Sequence, residues 1–247
     1  MRRLPGRTRT SETADKRESD FRLKVESDLL PPSLPPLVLS ATEAEWRHYA
    51  KLPIDAVWNG NTPELTWPQP DVTWHLDDKS LSATQQVAIE KFQDTNGKKY
   101  FMPATAQGPP FFSVEFVSQA KSAGTLWKAL NQGSYSSAQL LNAIYHLEEC
   151  IGKKDPGDGA YFLHFQTDQG FAQLSVSWME VDHSKTLHFH SDILERFVLS
   201  NEDSIQTLIK VVRGLKNCRD RLGEEFSERL TVALDCYYEM MTNHAPL

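Results

Sequence analysis

The sequence predicts an α/β (α+β) domain: a mixed β-sheet flanked by helices, with further helices at the C-terminal end. Three observations carry this expectation. Segments with apolar residues at every second position alternate with segments at helical spacing. They run in the order helix, three strands, long helix, three strands, two helices, which suits neither an all-α nor an all-β domain. The chain has 247 residues, 40% of them apolar, and six tryptophans, enough for the core of one domain.

Residues 1–39 read as a disordered basic leader closed by a proline-rich linker, Pro31-Pro32-Ser33-Leu34-Pro35-Pro36. The domain is expected over 40–247. Ser40 or Thr42 caps a first helix with Glu43 and Glu45 in its first turn, where the helix dipole favours acids. Trp46, Tyr49 and Ala50 form its apolar face, and Pro53 stops it. Asp55 to Trp58 is a short strand before the turn Asn59-Gly60-Asn61. From Asp71 to Leu76 the chain alternates, with Val72, Trp74 and Leu76 on one face and Asp71, Thr73 and His75 on the other. Residues 82–92 are helical, capped by Ser82. Residues 111–117 form the best strand, and 125–150 a long helix with Gly133 as a candidate break. Strands follow at 161–167, 171–179 and 186–191, the first two joined by a hairpin at Asp168-Gln169-Gly170. Two amphipathic helices, 202–216 and 220–241, end the domain, joined near Gly214 to Arg219.

Composition narrows the function classes. No apolar run is long enough for a membrane span, so no membrane partner is expected. Three widely spaced cysteines give neither a disulfide framework nor a zinc site, which points to an intracellular compartment, nucleus or cytoplasm. Residues 1–17 carry a net charge of +4 against −7 for the whole, leaving −11 for the rest. The basic tail reads as a solvated end or a nuclear address. The acidic body opposes non-specific binding to nucleic acid, which depends on Lys and Arg at phosphates. No Gly-x-Ser-x-Gly elbow, P-loop or dinucleotide fingerprint occurs. His188 and His190 share a strand face at a spacing that can hold zinc, but exposed alternation in a hairpin accounts for them better.

Two acids stand out. Asp71 opens the strand Pro70-Asp71-Val72-Thr73-Trp74, and Glu115 lies within Phe111-Phe112-Ser113-Val114-Glu115-Phe116-Val117. A carboxylate among apolar neighbours on a strand is costly unless compensated, and a shared divalent cation is one compensation.

These strands, with a preceding acidic helix and a following long helix and strand, resemble the PD-(D/E)XK nuclease layout. More narrowly, the chain resembles an uncharacterised fungal domain family allied to that superfamily. The matching features are Pro68-Gln69-Pro70-Asp71, Phe112-Ser113-Val114-Glu115, Asn131-Gln132 and Ser177-Trp178-Met179, over roughly residues 40–240. The resemblance implies that Asp71 and Glu115 bind Mg²⁺, which polarises a scissile phosphate in DNA and acidifies an attacking water. It implies Glu45 or Glu43 as a further acid, and Gln132 or Tyr135 along the phosphate path.

Val117 departs from the pattern, for it occupies the lysine position of the motif. Loss of such acid–base or electrostatic help is typically worth ~10²–10⁴-fold in rate. Lys121 or Lys128 is the candidate replacement amine. Two functions therefore stand side by side: Mg²⁺-dependent hydrolysis of DNA, weakened or lost, and a non-catalytic scaffold that binds a protein partner.

Overall fold

The computed structural model describes residues 37–41, 70–101, 108–116, 125–168, 170–198 and 204–243. Among these, six strands form one mixed sheet in sequential order. They are β1 (Leu37–Ala41), β2 (Val72–Leu76), β3 (Pro110–Phe116), β4 (Tyr161–Thr167), β5 (Phe171–Val181) and β6 (Leu187–Val198). Neighbours are antiparallel except β3 and β4, which run parallel. A parallel pair needs a crossover, and the 26-residue helix α2 (Thr125–Cys150) supplies it. Helix α1 (Ala83–Lys91) follows β2, and α3 (Ser204–Asn243) ends the described chain. The expected mixed sheet flanked by helices is present.

Local chemistry explains several boundaries. Ser82 caps α1 through a capping box: its Oγ accepts from Gln85 N at 3.2 Å, while Gln85 Oε1 accepts from Ser82 N at 2.9 Å. Asp168 closes the β4–β5 hairpin, its Oδ1 accepting from the amides of Gly170 and Phe171, both at 2.7 Å.

Four expectations are corrected. The sheet starts at Leu37, so residues 37–39 belong to it and Ser40 lies in β1 opposite Thr73 instead of capping a helix. Gly133 does not break α2; the helix runs through it, and the missing Cβ lets α2 lie close over His164. Strand β6 runs on to Val198, with a register shift opposite Leu174 and Ser175 that absorbs one extra residue. The two C-terminal helices are a single helix of 40 residues. Its buried stripe of Val211, Leu215, Leu222, Leu230 and Leu234 passes straight through the expected join, with Arg219 buried beside it. Packing of that stripe outweighs the roughly 1 kcal/mol that Gly214 costs. The expected leader and linker to residue 36, the helix with Glu43 and Glu45, and the strand 55–58 lie outside the described residues.

The two faces of the sheet differ. Val72, Trp74, Leu76, Phe112, Val114, Phe116, Leu163 and Phe165 form one buried apolar face, with Trp74 and Phe112 ring centroids 4.7 Å apart. On the other face Phe111 and Phe162 meet Leu140, Leu141 and Ile144 of α2 and Leu222 and Phe226 of α3. Helix α1 docks on α3, where Gln85 Nε2 donates to both oxygens of Asp235 at 3.0 Å and Phe92 meets Tyr237 edge-on.

Candidate functional site

The face beneath α2 turns polar toward the carboxyl ends of the parallel strands β3 and β4, where open α/β sheets place their ligands. Val72 lies opposite Val114 and Thr73 opposite Ser113, so the same register sets Asp71 opposite Glu115. Glu115 is in turn opposite Gln166, Gln166 opposite Gln173, and Gln173 opposite Arg196. Side chains opposite one another share a face, so these residues make one polar row across β2 to β6.

At one end of the row are the two acids. Asp71 is half-buried, and its Oδ2 accepts the Phe116 amide at 2.7 Å. Glu115 is 3% exposed, and among the described residues its Oε1 has no hydrogen-bond partner. Burial pushes the Glu115 carboxyl well above the ordinary carboxylate range, and the charge of Asp71 adds to the push. A hydrogen bond from the Asp71 backbone opposes both without overcoming them. Ser113, one pair along, also buries a hydroxyl without a partner. An acid in this state is short of a proton or a cation.

The middle of the row is a closed hydrogen-bond chain. Gln166 Oε1 accepts from Gln173 Nε2 at 3.2 Å and Ser175 Oγ at 3.1 Å. Gln166 Nε2 bonds His164 Nδ1, whose Nε2 faces the hydroxyls of Ser177 and Ser191 at 3.2 and 3.3 Å. Burial lowers the His164 pKa to about 3, so the ring stays neutral. Its bonds then assign the proton to Nε2, with Nδ1 accepting from the glutamine amide. Gly133 of α2 lies directly over this pair: a Cβ there would overlap the His164 ring and sit 3.1 Å from Gln166 Nε2.

The structure therefore brings Asp71 and Glu115 together on one face. Gln132 is half-buried and its carbonyl accepts from Ser136 Oγ at 3.1 Å, while Tyr135 Oη accepts from Gln139 within α2. Lys128 lies in the first turn of α2, with its side chain outside the described residues, as are Val117, Lys121, Glu43 and Glu45 entirely. Among the described residues no group of three or more His, Cys, Asp or Glu side chains is placed to hold a metal. His188 and His190 turn to different acids, Asp182 at 3.1 Å and Glu180 at 3.6 Å, as exposed alternation in a hairpin requires. Gln166, Gln173 and Arg196 went unread in the sequence. The two glutamines had a signal, polar side chains at every second position of otherwise apolar strands, as in His164/Gln166 and Gln173/Ser175/Ser177.

Among the described residues no helix is long and apolar enough to cross a membrane. The chain belongs to the family described as a domain of unknown function, DUF7924, which matches residues 9–234. No curated protein matches it, and no solved structure does.

Proposed function

We propose that this DUF7924 protein is a PD-(D/E)XK-like domain whose Asp71 and Glu115 hold Mg²⁺ for hydrolysis of DNA phosphodiester bonds. The observation that carries the reading is the buried Glu115 Oε1, without a partner among the described residues, beside the Asp71 carboxylate. The β3–α2–β4 crossover, with the acids near the carboxyl end of β3, supports it as well. Two carboxylates fit Mg²⁺, which is commonly held by one or two of them, with waters and substrate phosphate filling the shell. When bound, the ion supplies charge stabilisation at the phosphate and a more acidic water. Asp71 is held by the Phe116 amide, and with Glu115 it would hold the ion, Glu115 giving up its proton to do so. With valine at position 117 no motif amine assists, so turnover is slow.

A second reading, a non-catalytic scaffold for a protein partner, is favoured by one observation. Glu115 is held toward its neutral form and Asp71 is already bonded to the backbone, so the pair is tolerable without an ion.

Calorimetry with Mn²⁺ and a plasmid-nicking assay with Mg²⁺ or Mn²⁺ separate the two. Under the first reading the native chain binds the ion, Asp71→Ala and Glu115→Ala abolish binding and nicking, and Val117→Lys raises nicking. Nicking that survives both alanine variants rules out this site. A native chain that neither binds Mn²⁺ nor nicks leaves the scaffold.

A further inference from the structure

We propose that the groove at the β6 end of the polar row binds a phosphate of a single-stranded nucleic-acid backbone through Arg196. The ligand class rests on the phosphodiesterase reading above. The groove, about 310 Å³, is walled by Leu126 and Leu130 of α2 and by Phe171, Ala172, Gln173 and Arg196. Among the described residues that line it, the charge is one guanidinium. Gln173, 3% exposed, accepts the Nε–H of Arg196 at 3.0 Å. Gln173 is itself fixed, because its Nε2 donates to Gln166 Oε1 and to Ser175 Oγ at 3.2 Å each. A rigid buried amide thus takes one nitrogen of the guanidinium to aim it, and no other described residue engages the terminal N–H groups, which suit an anion. No carboxylate among the described residues pairs with Arg196. Paired terminal N–H groups match phosphate oxygens in geometry as well as charge.

The rest of the groove selects the kind of phosphate. Phe171 is 45% exposed and offers an aromatic surface beside the two leucines. A base can reach such a surface only when unpaired, which favours a single strand over a duplex. Arg196 stands three strands from Glu115 in the same row, ~14 Å at the usual strand spacing. A few nucleotides of backbone cover that distance. The chain is acidic, at −7, so attraction of a polyanion needs such a built contact and not a diffuse basic surface.

The test is fluorescence anisotropy with a fluorescein-labelled twelve-nucleotide oligothymidine, titrated in EDTA at several salt concentrations. Arg196→Ala should weaken binding about tenfold and flatten the log–log salt slope by about 0.7, as one lost phosphate contact on a single strand requires. Arg196→Lys should recover the slope but only part of the affinity, since an ammonium lacks the fork. Lys185→Ala, which removes an equal charge from the far end of the β5–β6 hairpin, should change little. The proposal is overturned if the native chain does not bind at low salt, if Arg196→Ala binds like the native chain, or if Lys185→Ala loses as much. Equal displacement by a polyglutamate peptide also overturns it, because that marks charge attraction alone. A native chain that binds no Mn²⁺ but keeps Arg196-dependent binding of the oligonucleotide would sink the metal site and spare this one.

Discussion

Glu115 sets the chemistry of the site because it is almost wholly enclosed while one of its oxygens bonds to nothing among the described residues. Its carboxyl is raised by burial first and by Asp71 second, so the folded chain holds a proton that the unfolded chain releases. Below the unfolded value near 4.5 both states are protonated and Glu115 costs nothing through ionisation. As pH rises above that value the folded state loses stability relative to the unfolded one. Glu115→Gln should therefore stabilise the metal-free protein at pH 7 by about 1–2 kcal/mol, the scale on which neutral replacements relieve buried ionisable groups. The gain should vanish below about pH 4, where the unfolded carboxyl is protonated too. Urea denaturation at pH 4 and pH 7 in EDTA measures both. Repeating it with saturating Mn²⁺ should reverse the order, since only the native side chain gains from ligand binding. A Glu115→Gln variant that is less stable at pH 7 in EDTA would mean that the ionised acid is already satisfied.

At the scale of single elements, two helical glycines serve opposite ends. In an exposed helix Gly→Ala is favourable by about 1 kcal/mol. Around Gly214 of α3 nothing among the described residues lies within 4 Å of the position a Cβ would take, so Gly214→Ala should stabilise by about 0.5–1 kcal/mol. Gly133 of α2 lies against His164 and Gln166, and a methyl there must move the ring or the helix. Gly133→Ala should destabilise by about 1–3 kcal/mol despite better propensity, and thermal melts of the two variants should shift in opposite directions. This contrast also shows where sequence reading works. Ser82 and Gln85 announce the start of α1 within four residues, because a cap is a local device. The hairpin at Asp168 is local in the same way. Strand β1 is not, for Leu37–Ala41 becomes a strand by pairing with β2, whose residues come more than thirty positions later. The glycines at 133 and 214 look alike in sequence, and only packing tells a close approach from open space. The carboxylate pair was legible because each acid interrupts an apolar alternation. Arg196 was not, since its partner Gln173 stands on another strand and the β6 register shift hides which face it joins.

For the molecule as a whole, the sheet alone does not fix where α2 and α3 sit relative to one another. Glu148 near the end of α2 does much of that work. Its Oε1 accepts from Lys153 Nζ and Arg229 Nε, both at 2.7 Å, and its Oε2 from the Gly157 amide at 2.6 Å and Arg229 Nη2 at 2.8 Å. The same Arg229 donates to the Asp158 carbonyl at 3.0 Å, so one carboxylate binds α2, the loop after it and α3. Burial pushes the Glu148 carboxyl up, but the bonds from Arg229, Lys153 and Gly157 outweigh it and leave the pKa lowered. The stability this group supplies is thus complete above the unfolded value near 4.5 and is lost as pH falls through the lower folded value. Glu148→Gln should cost about 3–5 kcal/mol at pH 7, because it strands the Arg229 guanidinium at a site built for charge. It should also flatten the acid limb of the stability curve, since no depressed carboxyl remains there to titrate. Adding Arg229→Met to Glu148→Gln should return part of the loss, as removing both partners is cheaper than removing one. If the double variant is no more stable than Glu148→Gln alone in urea at pH 7, the pair is not what fastens α3 to α2, and the buried stripe along Leu222, Leu230 and Leu234 must hold it unaided.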